Sequence, residues 1–364
     1  MPARQSALPS RGLGQRHRAP KKNYIPDEVV FRTKQQIGLE LISRALSHGV
    51  RVEAWTFDEA YGRDNGFLDG LEELGQVFVA EVPKNFHGWV IRPRVLKEST
   101  RKSQSGRGRP KKYPRLAKGR PSSKVEDLFR YSPSFRDKSW QKYRIKDTEK
   151  GPEVWELKWS VIWRKDAEGL PGRRHCLLVL RNVLTQEVKY FVANRAPGDH
   201  GTTIRGLLRV AFQRCTVEGC FRQAKEELGL DQFEVRGWGC VHRHFVLVQL
   251  SQLFCAKKRE QLDGLVMTRE GEMEDGTKVE MGRLTMEQVR RAMGTWLDVT
   301  YGGQTKAERL ERELAKQRYY RRRNAQSRRS HTKTRRERYE ELGIDVDRIK
   351  SCLPKTRPQD STTP

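Results

Sequence analysis

Three charged side chains, Arg214, Glu218 and Lys225, stand four and seven residues apart along one stretch of the chain. On an α-helix, which turns by about 100° per residue, this spacing places all three within roughly 40° of one another on one face. A carboxylate flanked by two cations can bind a divalent metal ion while the cations contact a polyanion. The same pattern is also typical of a solvated helix face. The spacing therefore leaves two alternatives, a catalytic acid and an exposed charged surface.

An apolar stripe runs beside these charges, because Val217, Phe221, Ala224 and Leu228 follow helical spacing. Such a stripe predicts a helix that packs one face against a core. The three charged side chains are therefore expected at the edge of a core-facing helix.

A second carboxylate, Asp58, stands at the end of a stretch that alternates in the manner of a strand. Residues 50–58 predict a buried strand, and after a turn residues 65–74 predict a helix that Gly75 ends. The next strand is predicted over 76–82. This strand–turn–helix–strand order indicates an α/β layer.

Further elements flank this layer. Residues 28–34 form a short strand-like run, and residues 35–47 carry the apolar spacing of a helix that ends at Gly49. Helices are predicted again from about residue 203, and residues 242–254 form a second apolar helix.

Two long apolar stretches, residues 153–165 and 175–193, predict strands. Under strand periodicity Trp155, Trp159 and Trp163 share one face. Core packing of these rings is favoured over the alternative, stacking on an unpaired base.

The composition favours a polyanionic partner. The chain has 73 Lys and Arg against 46 Asp and Glu, a formal net charge of +27 and a pI near 10.1. Such a surplus repels itself in a compact state unless a polyanion neutralises it, so nucleic acid is the expected partner. No apolar run of about eighteen residues and no N-terminal signal region occur. The expectation is therefore a cytoplasmic protein with no membrane partner.

Two segments concentrate the positive charge. Residues 101–120 contain nine Lys or Arg and no acid, which indicates either a solvated loop or an arm that contacts phosphates. The candidate DNA-binding cations of this arm are Arg107, Arg109, Lys111 and Lys112. Residues 304–340 contain fourteen Lys or Arg against five Glu, which predicts a charged helix that is exposed or bound to DNA.

The stretch around Glu218 and the segment 55–62 together resemble the DDE transposases of bacterial insertion sequences, in the group with a Tyr-x2-Arg-x3-Glu-x6-Lys signature. Arg214, Glu218 and Lys225 match the Arg, Glu and Lys of that signature, whereas Ala211 stands at the Tyr position. The resemblance covers roughly residues 25–255, and its strength lies in the order and spacing of modest motifs.

The resemblance implies an RNase-H-like α/β core and DNA cleavage and strand transfer with two divalent ions, Mg²⁺ or Mn²⁺, held by three carboxylates. Asp58 matches the second Asp of the triad and Glu218 its acid, so both are expected to be catalytic residues and metal ligands. Arg214 and Lys225 match basic residues that contact DNA near its end. The implied partners are double-stranded transposon ends and target DNA, bound by a homodimer in the nucleoid-associated cytoplasm of a prokaryote.

The resemblance also predicts the domain organisation. The partial RNase-H-like core is expected over residues 23–84 and 200–258. A basic loop with a β-strand insertion is expected between them, over 85–199, where the long strands lie. The remaining predictions are a disordered basic N-terminus over 1–22 and a basic helical or disordered C-terminal region over 259–364.

The first Asp of the family's triad has no counterpart in this chain. Only 57 residues precede Asp58, and the acids among them, Asp27, Glu28, Glu40 and Glu53, do not lie on an apolar strand that two more strands follow. The expectation is therefore the C-terminal portion of a transposase, catalytically incomplete and with an unpaired edge at the strand of Asp58. Two alternatives stand beside it: a basic nucleic-acid-binding protein without catalysis, and a first Asp supplied by an upstream or frameshifted reading frame.

Overall fold

The fold is a mixed α/β structure, given by a computed structural model that describes residues 24–97, 114–117, 121–148, 150–266, 270–272, 278–280, 284–301 and 306–352. The predicted disordered segment 1–22 and all four candidate cations of the basic arm, from Arg107 to Lys112, lie outside these residues.

The chain forms two compact units, which are named here by their contents. The sheet unit comprises Lys34–Thr148, Pro152–Arg214 and Tyr339–Pro364, and the helical unit comprises Met1–Thr33, Glu149–Gly151 and Cys215–Arg338.

The helices, in chain order, are α1 (Lys34–Ser47), α2 (Glu59–Gly62), α3 (Asn65–Glu73), α4 (Val125–Tyr131), α5 (Pro133–Arg136), α6 (Ile204–Leu228), α7 (Trp238–Val266), α8 (Met286–Tyr301) and α9 (Lys306–Glu341). The strands are β1 (Trp55–Phe57), β2 (Phe78–Val82), β3 (His87–Trp89), β4 (Val95–Leu96), β5 (Arg115–Leu116), β6 (Ser123–Lys124), β7 (Gln141–Thr148), β8 (Gly151–Lys165), β9 (Pro171–Asn182), β10 (Val188–Ala193), β11 (Glu270–Glu272), β12 (Lys278–Glu280) and β13 (Lys350–Ser351).

One mixed sheet organises the sheet unit, in the order β1-β2-β10-β9-β8-β3-β6, with β7 beside β8 and β13 beside β7. β1 runs parallel to β2, whereas β10 runs antiparallel to both β2 and β9. Within the residues given above, β1 pairs with β2 alone and so ends the sheet. The strands of the predicted insertion therefore extend the same sheet as β1 and β2.

The local signals placed most elements of this layer correctly. Helix α1 confirms the helix predicted over 35–47, and it ends where Gly49 takes a φ of 78°. Helix α3 is followed by Gly75 at a φ of 68°, the left-handed conformation in which glycine is favoured. Strand β2 confirms the strand predicted before Pro83.

Two expectations for the neighbouring segments were wrong. Residues 29–33 form no strand, α1 begins at Lys34, and Val30 and Phe31 are exposed. The strand predicted over 50–58 is limited to β1, since Val50 and Val52 are 46% and 40% exposed. The alternating residues before β1 are therefore not buried, because they pair with no strand among the described residues.

The sheet buries side chains on both faces because they alternate along each strand. On one face, Phe78 and Ala80 of β2 pack with Phe67, Leu68 and Leu71 of α3. On the other face, Val79 of β2 packs with Phe191 of β10 and with Leu207, Leu208 and Ala211 of α6. Helix α6 is thereby fixed over the strands that carry Asp58 and its neighbours.

The tryptophans of β8 serve the core. Trp155 is buried and its ring centroid lies 5.1 Å from that of Phe212. Trp159 is partly buried against the same cluster, and Trp163 lies opposite Trp89 in the pairing of β8 with β3. Core packing, the interpretation favoured above, is thus observed for Trp155 and Trp159.

A buried cation ties β8 to α3. Arg164 is fully buried; its guanidinium donates to the side-chain oxygen of Asn65 at 2.8 Å and pairs with Asp69. The amide of Asn65 in turn donates to the backbone oxygen of Lys165 at 3.0 Å. Because a buried charge is tolerated only when it is paired, these contacts fix the start of α3 against the sheet.

The helical unit has a small core of its own. Cys255 of α7 packs with Met286 and Val289 of α8, and Leu228 at the end of α6 contacts the same cluster. Among the helices that the structure describes, none is long and apolar enough to cross a membrane.

The close approach of α2 to β2 yields the first testable prediction. A methyl group in place of a Gly62 hydrogen would lie 2.0 Å from the carbonyl oxygen of Glu81. We expect Gly62→Ala to lower the free energy of unfolding by about 3 kcal/mol, because the clash involves backbone that must move. Urea unfolding followed by tryptophan fluorescence measures this change.

The matched control is Gly294→Ala, in the middle of α8, where an added Cβ meets no atom within 4 Å. That variant should be unchanged or more stable by about 0.5–1 kcal/mol, because alanine restricts the unfolded chain. Equal stability of the two variants would contradict the packing described for Gly62.

Candidate active site

Asp58 lies directly after β1 and caps the short helix α2. Its backbone is extended, with φ −81° and ψ 176°, and its Oδ1 accepts hydrogen bonds from the backbone N–H groups of Ala60 at 3.0 Å and Tyr61 at 3.2 Å. Aspartate is favoured at this position because its carboxylate satisfies N–H groups that have no partner within the helix. One carboxylate oxygen is therefore committed to the fold, and Oδ2 faces the other side chains of the site.

Glu81 is the nearest neighbour of Asp58 across the sheet. In the parallel pairing of β1 with β2, Phe57 lies opposite Ala80, so the next residues along the two strands are Asp58 and Glu81. Side chains at the same level of adjacent strands point to the same face. The Glu81 side chain is largely buried, and it lies on the face that α6 covers.

Arg214 of α6 lies between these two carboxylates. Its Nη1 is 3.9 Å from Asp58 Oδ2, and its Nη2 is 3.8 Å from Glu81 Oε2. These separations exceed those of direct N–H···O hydrogen bonds, so the contacts are ion pairs across a small gap. The guanidinium offsets the repulsion between two acids that the strand register forces together.

Lys189 of β10 adds a second cation, with its Nζ 3.3 Å from Glu81 Oε1. Glu81 is thus held from both sides, by Lys189 and by Arg214. Sequence reasoning missed both Glu81 and Lys189. The one available signal was the charged residue Glu81 in an otherwise apolar strand, whose partners depend on the order of strands in the sheet.

Tyr61 of α2 packs in the cluster on the α3 face of the sheet, opposite to the face that α6 covers. Its ring packs against Phe57 and Phe67, with centroids 5.9 and 5.0 Å away. Burial raises the pKa of the Tyr61 hydroxyl, and the negative charge of Asp58 raises it further. The hydroxyl therefore stays protonated at neutral pH.

Ala211, at the Tyr position of the signature, is a core residue. It is buried in the cluster that contains Val79 and Phe191. Phe212, the next residue, places its ring centroid 6.0 Å from that of Phe191. The close packing of α6 on the sheet therefore explains a small side chain at this position.

Glu218 and Lys225 lie further along α6, in the part of the helix that belongs to the helical unit, and both side chains are exposed. The predicted apolar stripe beside them is only partly buried. Ala224 is buried and Leu228 packs on the helical core, but Val217 and Phe221 are exposed. The expectation of a core-facing stripe was therefore wrong for its first half.

The donor set at Asp58 suits a hard cation in type but not in number. Carboxylate oxygens are the ligands that Mg²⁺ prefers, and Asp58 keeps Oδ2 outside its capping bonds. In the described part of the chain, however, no group of three or more Asp, Glu, His or Cys side chains is arranged to hold a metal ion. A complete metal site needs at least one further ligand.

The capping role of Asp58 can be separated from its charge. Asp58→Ala removes the acceptor of two N–H groups and should lower the free energy of unfolding by about 0.5–2 kcal/mol. Asp58→Asn keeps an amide oxygen in place and should cost clearly less. Asp64, which caps α3 by accepting from the N–H of Phe67 at 2.8 Å, is the matched control and should show the same ranking. Equal losses for Asn and Ala at Asp58 would show that the charge matters more than the cap.

The bridge between Glu81 and Arg214 can be measured by a double-mutant cycle. Glu81→Gln, Arg214→Gln and the double variant should give a coupling energy of about 0.5–1 kcal/mol in urea unfolding, because the pair is partly shielded from solvent. The exposed pair of Arg136 with Asp137 is the control. In high salt its coupling energy should be smaller than that of Glu81 with Arg214, because solvent ions screen an exposed pair more strongly. A coupling of zero for Glu81 and Arg214 at low salt would contradict the geometry described.

Comparison with known proteins supports the family resemblance. The family model described as DDE superfamily endonuclease matches residues 3–152. This range includes Asp58 and Glu81, whereas Arg214, Glu218 and Lys225 lie beyond it. No curated protein matches the chain significantly. The mixed α/β fold is consistent with an RNase-H-like core. Over residues 3–152, the chain is similar to the endonucleases of the DDE superfamily.

Proposed function

We propose that this protein is a transposase-type endonuclease that acts on double-stranded DNA, in which Asp58 and Glu218 are the catalytic carboxylates. One observation carries the proposal. Asp58 ends a strand within the residues matched by the endonuclease family and lies beside Arg214, which precedes Glu218 by one turn of α6. The proposed roles of Glu218 and Lys225 rest on their match to the signature.

The residues proposed to hold Mg²⁺ or Mn²⁺ are Asp58, through its Oδ2, and Glu218. When bound, divalent ions supply activation of the attacking oxygen and stabilisation of the leaving oxygen in phosphodiester cleavage. Arg214 offsets the charge of Asp58 and Glu81, and its guanidinium is proposed to contact a phosphate oxygen. Lys225, exposed two turns beyond Glu218, is proposed to contact the DNA backbone.

The proposed site is incomplete, and its third carboxylate is proposed to come from a further strand at the β1 edge. Three observations support this part of the proposal. β1 has one strand neighbour in the residues that the structure covers. The buried hydroxyl oxygen of Thr56 on β1 has no hydrogen-bond partner among them. Residues 1–23 contain no Asp or Glu. An added strand would pair with the β1 edge and could supply both the acid and a partner for Thr56.

A second candidate function is binding of nucleic acid without catalysis. The net charge of +27 favours it, because charge alone suffices for nonspecific binding. In that case Asp58 acts only as a helix cap and Glu218 as a surface residue.

A nicking assay distinguishes the candidates. Purified protein is incubated with labelled duplex DNA and Mg²⁺ or Mn²⁺, and binding is measured in parallel. For the incomplete endonuclease we expect binding without nicking. Nicking is expected when a further segment that supplies an acid on an apolar strand is expressed together with the chain.

Substitutions then test which residues are needed for DNA cleavage once the missing acid is supplied. Asp58→Asn and Glu218→Gln should each reduce nicking by at least a hundredfold while binding persists, and Glu226→Gln, an exposed acid on the same helix, should leave it unchanged. Nicking by the chain alone that Glu218→Gln abolishes would overturn the claim of incompleteness. Binding without nicking under every condition would favour the second candidate.

A further inference from the structure

We propose that helix α9 carries a surface that binds the phosphate backbone of duplex DNA, apart from the Asp58 site. This inference deepens the proposed action on DNA and rests on it for the identity of the polyanion. Residues 315–336 of α9 contain ten Lys or Arg and no Asp or Glu. A helix surface stabilised by ion pairs along its own length contains charges of both signs, whereas this segment contains no acid.

One side of α9 is attached to the rest of the helical unit. The side-chain amide of Gln317 donates to the backbone oxygen of Gln288 at 3.3 Å. Further along, Arg335 donates to the backbone oxygen of Gly151 at 3.3 Å. The side chains of this stripe are partly buried, from Gln317 through Arg321 to Arg335. The attachment holds the helix in place and leaves its neighbouring face in solvent.

The neighbouring face carries a row of four exposed cations, Arg318, Arg322, Arg329 and Lys333, named here the α9 row. Their spacing places them within about 60° on one face, and the row is about 22 Å long at a rise of about 1.5 Å per residue. The Nζ of Lys333 lies 3.9 Å from Oε1 of Glu337, one turn further along the helix. Arg318 and Arg322 form no ion pair with any residue that the structure describes.

Two exposed tyrosines follow Arg318 in sequence, and of these Tyr319 lies about 40° from the edge of the α9 row whereas Tyr320 lies about 140° from it. Tyr319 and Tyr320 are 60% and 49% exposed, and their ring centroids lie 5.5 Å apart. Tyrosine hydroxyls and arginine guanidinium groups are both common donors to phosphate oxygens. The row and Tyr319 together present donors along one side of the helix.

The chemistry of this face favours nucleic acid over a lipid surface. A helix that binds a membrane surface needs a broad apolar face beside its basic one. Residues 315–336 contain no Leu, Ile, Val, Met, Phe or Trp. A duplex, with about one charge per 1.7 Å of its axis, offers a matching line of phosphates over the length of the row.

The salt dependence of binding tests the proposal. Two proteins are compared, both with Asp58→Asn and both in EDTA, so that catalysis plays no part. One of them also carries Arg318→Gln, Arg322→Gln and Lys333→Gln. Affinity for a 30-base-pair duplex of arbitrary sequence is measured by fluorescence anisotropy over a range of KCl concentrations. If the three cations contact phosphates, the slope of log K against log [KCl] should become shallower by about 2.7.

The matched control removes three cations elsewhere. Arg130, Arg136 and Arg348 are exposed and paired with Glu126, Asp137 and Asp345. Their replacement by Gln changes the net charge by the same amount, and the slope should change by less than one. Circular dichroism verifies that all variants keep their helix content.

An unchanged slope in the triple variant, or equal changes in both variants, would overturn the α9 row as a DNA-binding surface. So would a loss of binding to phosphatidylserine vesicles without a loss of binding to DNA. Absence of nicking in the assay above leaves this result untouched, because the measurement involves neither metal nor cleavage.

Discussion

The arrangement of the candidate site depends on one close contact, the approach of α2 to β2 at Gly62. Two parallel strands must be joined by a crossover, and here the crossover begins immediately after Asp58 with a single turn of helix. Because Gly62 has no side chain, that turn lies against the backbone of Glu81. The first turn of the crossover thereby packs against β2, at the level where the parallel register places Asp58 beside Glu81.

The other members of the site follow from elements packed on this pair of strands. β10 lies next to β2 and places Lys189 beside Glu81. Helix α6 lies on the sheet through Leu207 and Leu208, and Arg214 follows them two turns later at the edge of the sheet. Two anions and two cations thus meet where a strand end, a neighbouring strand and a covering helix converge. This cluster gives the sheet edge a nearly balanced charge in a strongly basic protein.

Sequence reasoning recovered the parts of the fold that local signals specify. Gly49, Gly75 and Pro83 mark element ends, so α1, α3 and β2 could be placed within a few residues. The length of β1 could not be predicted, because burial of Val50 and Val52 requires a neighbouring strand. The role of Glu81 could not be predicted for a related reason. Its contact with Arg214 is set by strand order and register, which no local pattern encodes. Phe221 follows core spacing but is exposed, since spacing does not reveal whether another element covers a helix face.

Acidic partners for the positive charges are distributed unevenly between the sheet unit and helix α9. In the sheet unit many cations have acidic partners, such as Arg144 with Asp147 and Asp347. Arg164, buried within it, is paired with Asp69. The long stretch of α9 without acids has no comparable compensation in sequence. Like charges are therefore concentrated along one helix, where a bound polyanion would offset their repulsion.

The path of the chain through the sheet unit bears on its synthesis. β7 ends at Thr148, and the strand that pairs with its free side, β13, begins only at Lys350, after the whole helical unit. The same late segment supplies Tyr339, whose hydroxyl accepts a hydrogen bond from the Val154 N–H at 3.0 Å. At about 5–20 residues per second, a ribosome needs roughly 10–40 s to make the intervening stretch. During that time β7 presents an open edge and an unfilled apolar surface. Recovery of folded protein should therefore depend on the rate and temperature of translation as much as on the stability of the finished chain.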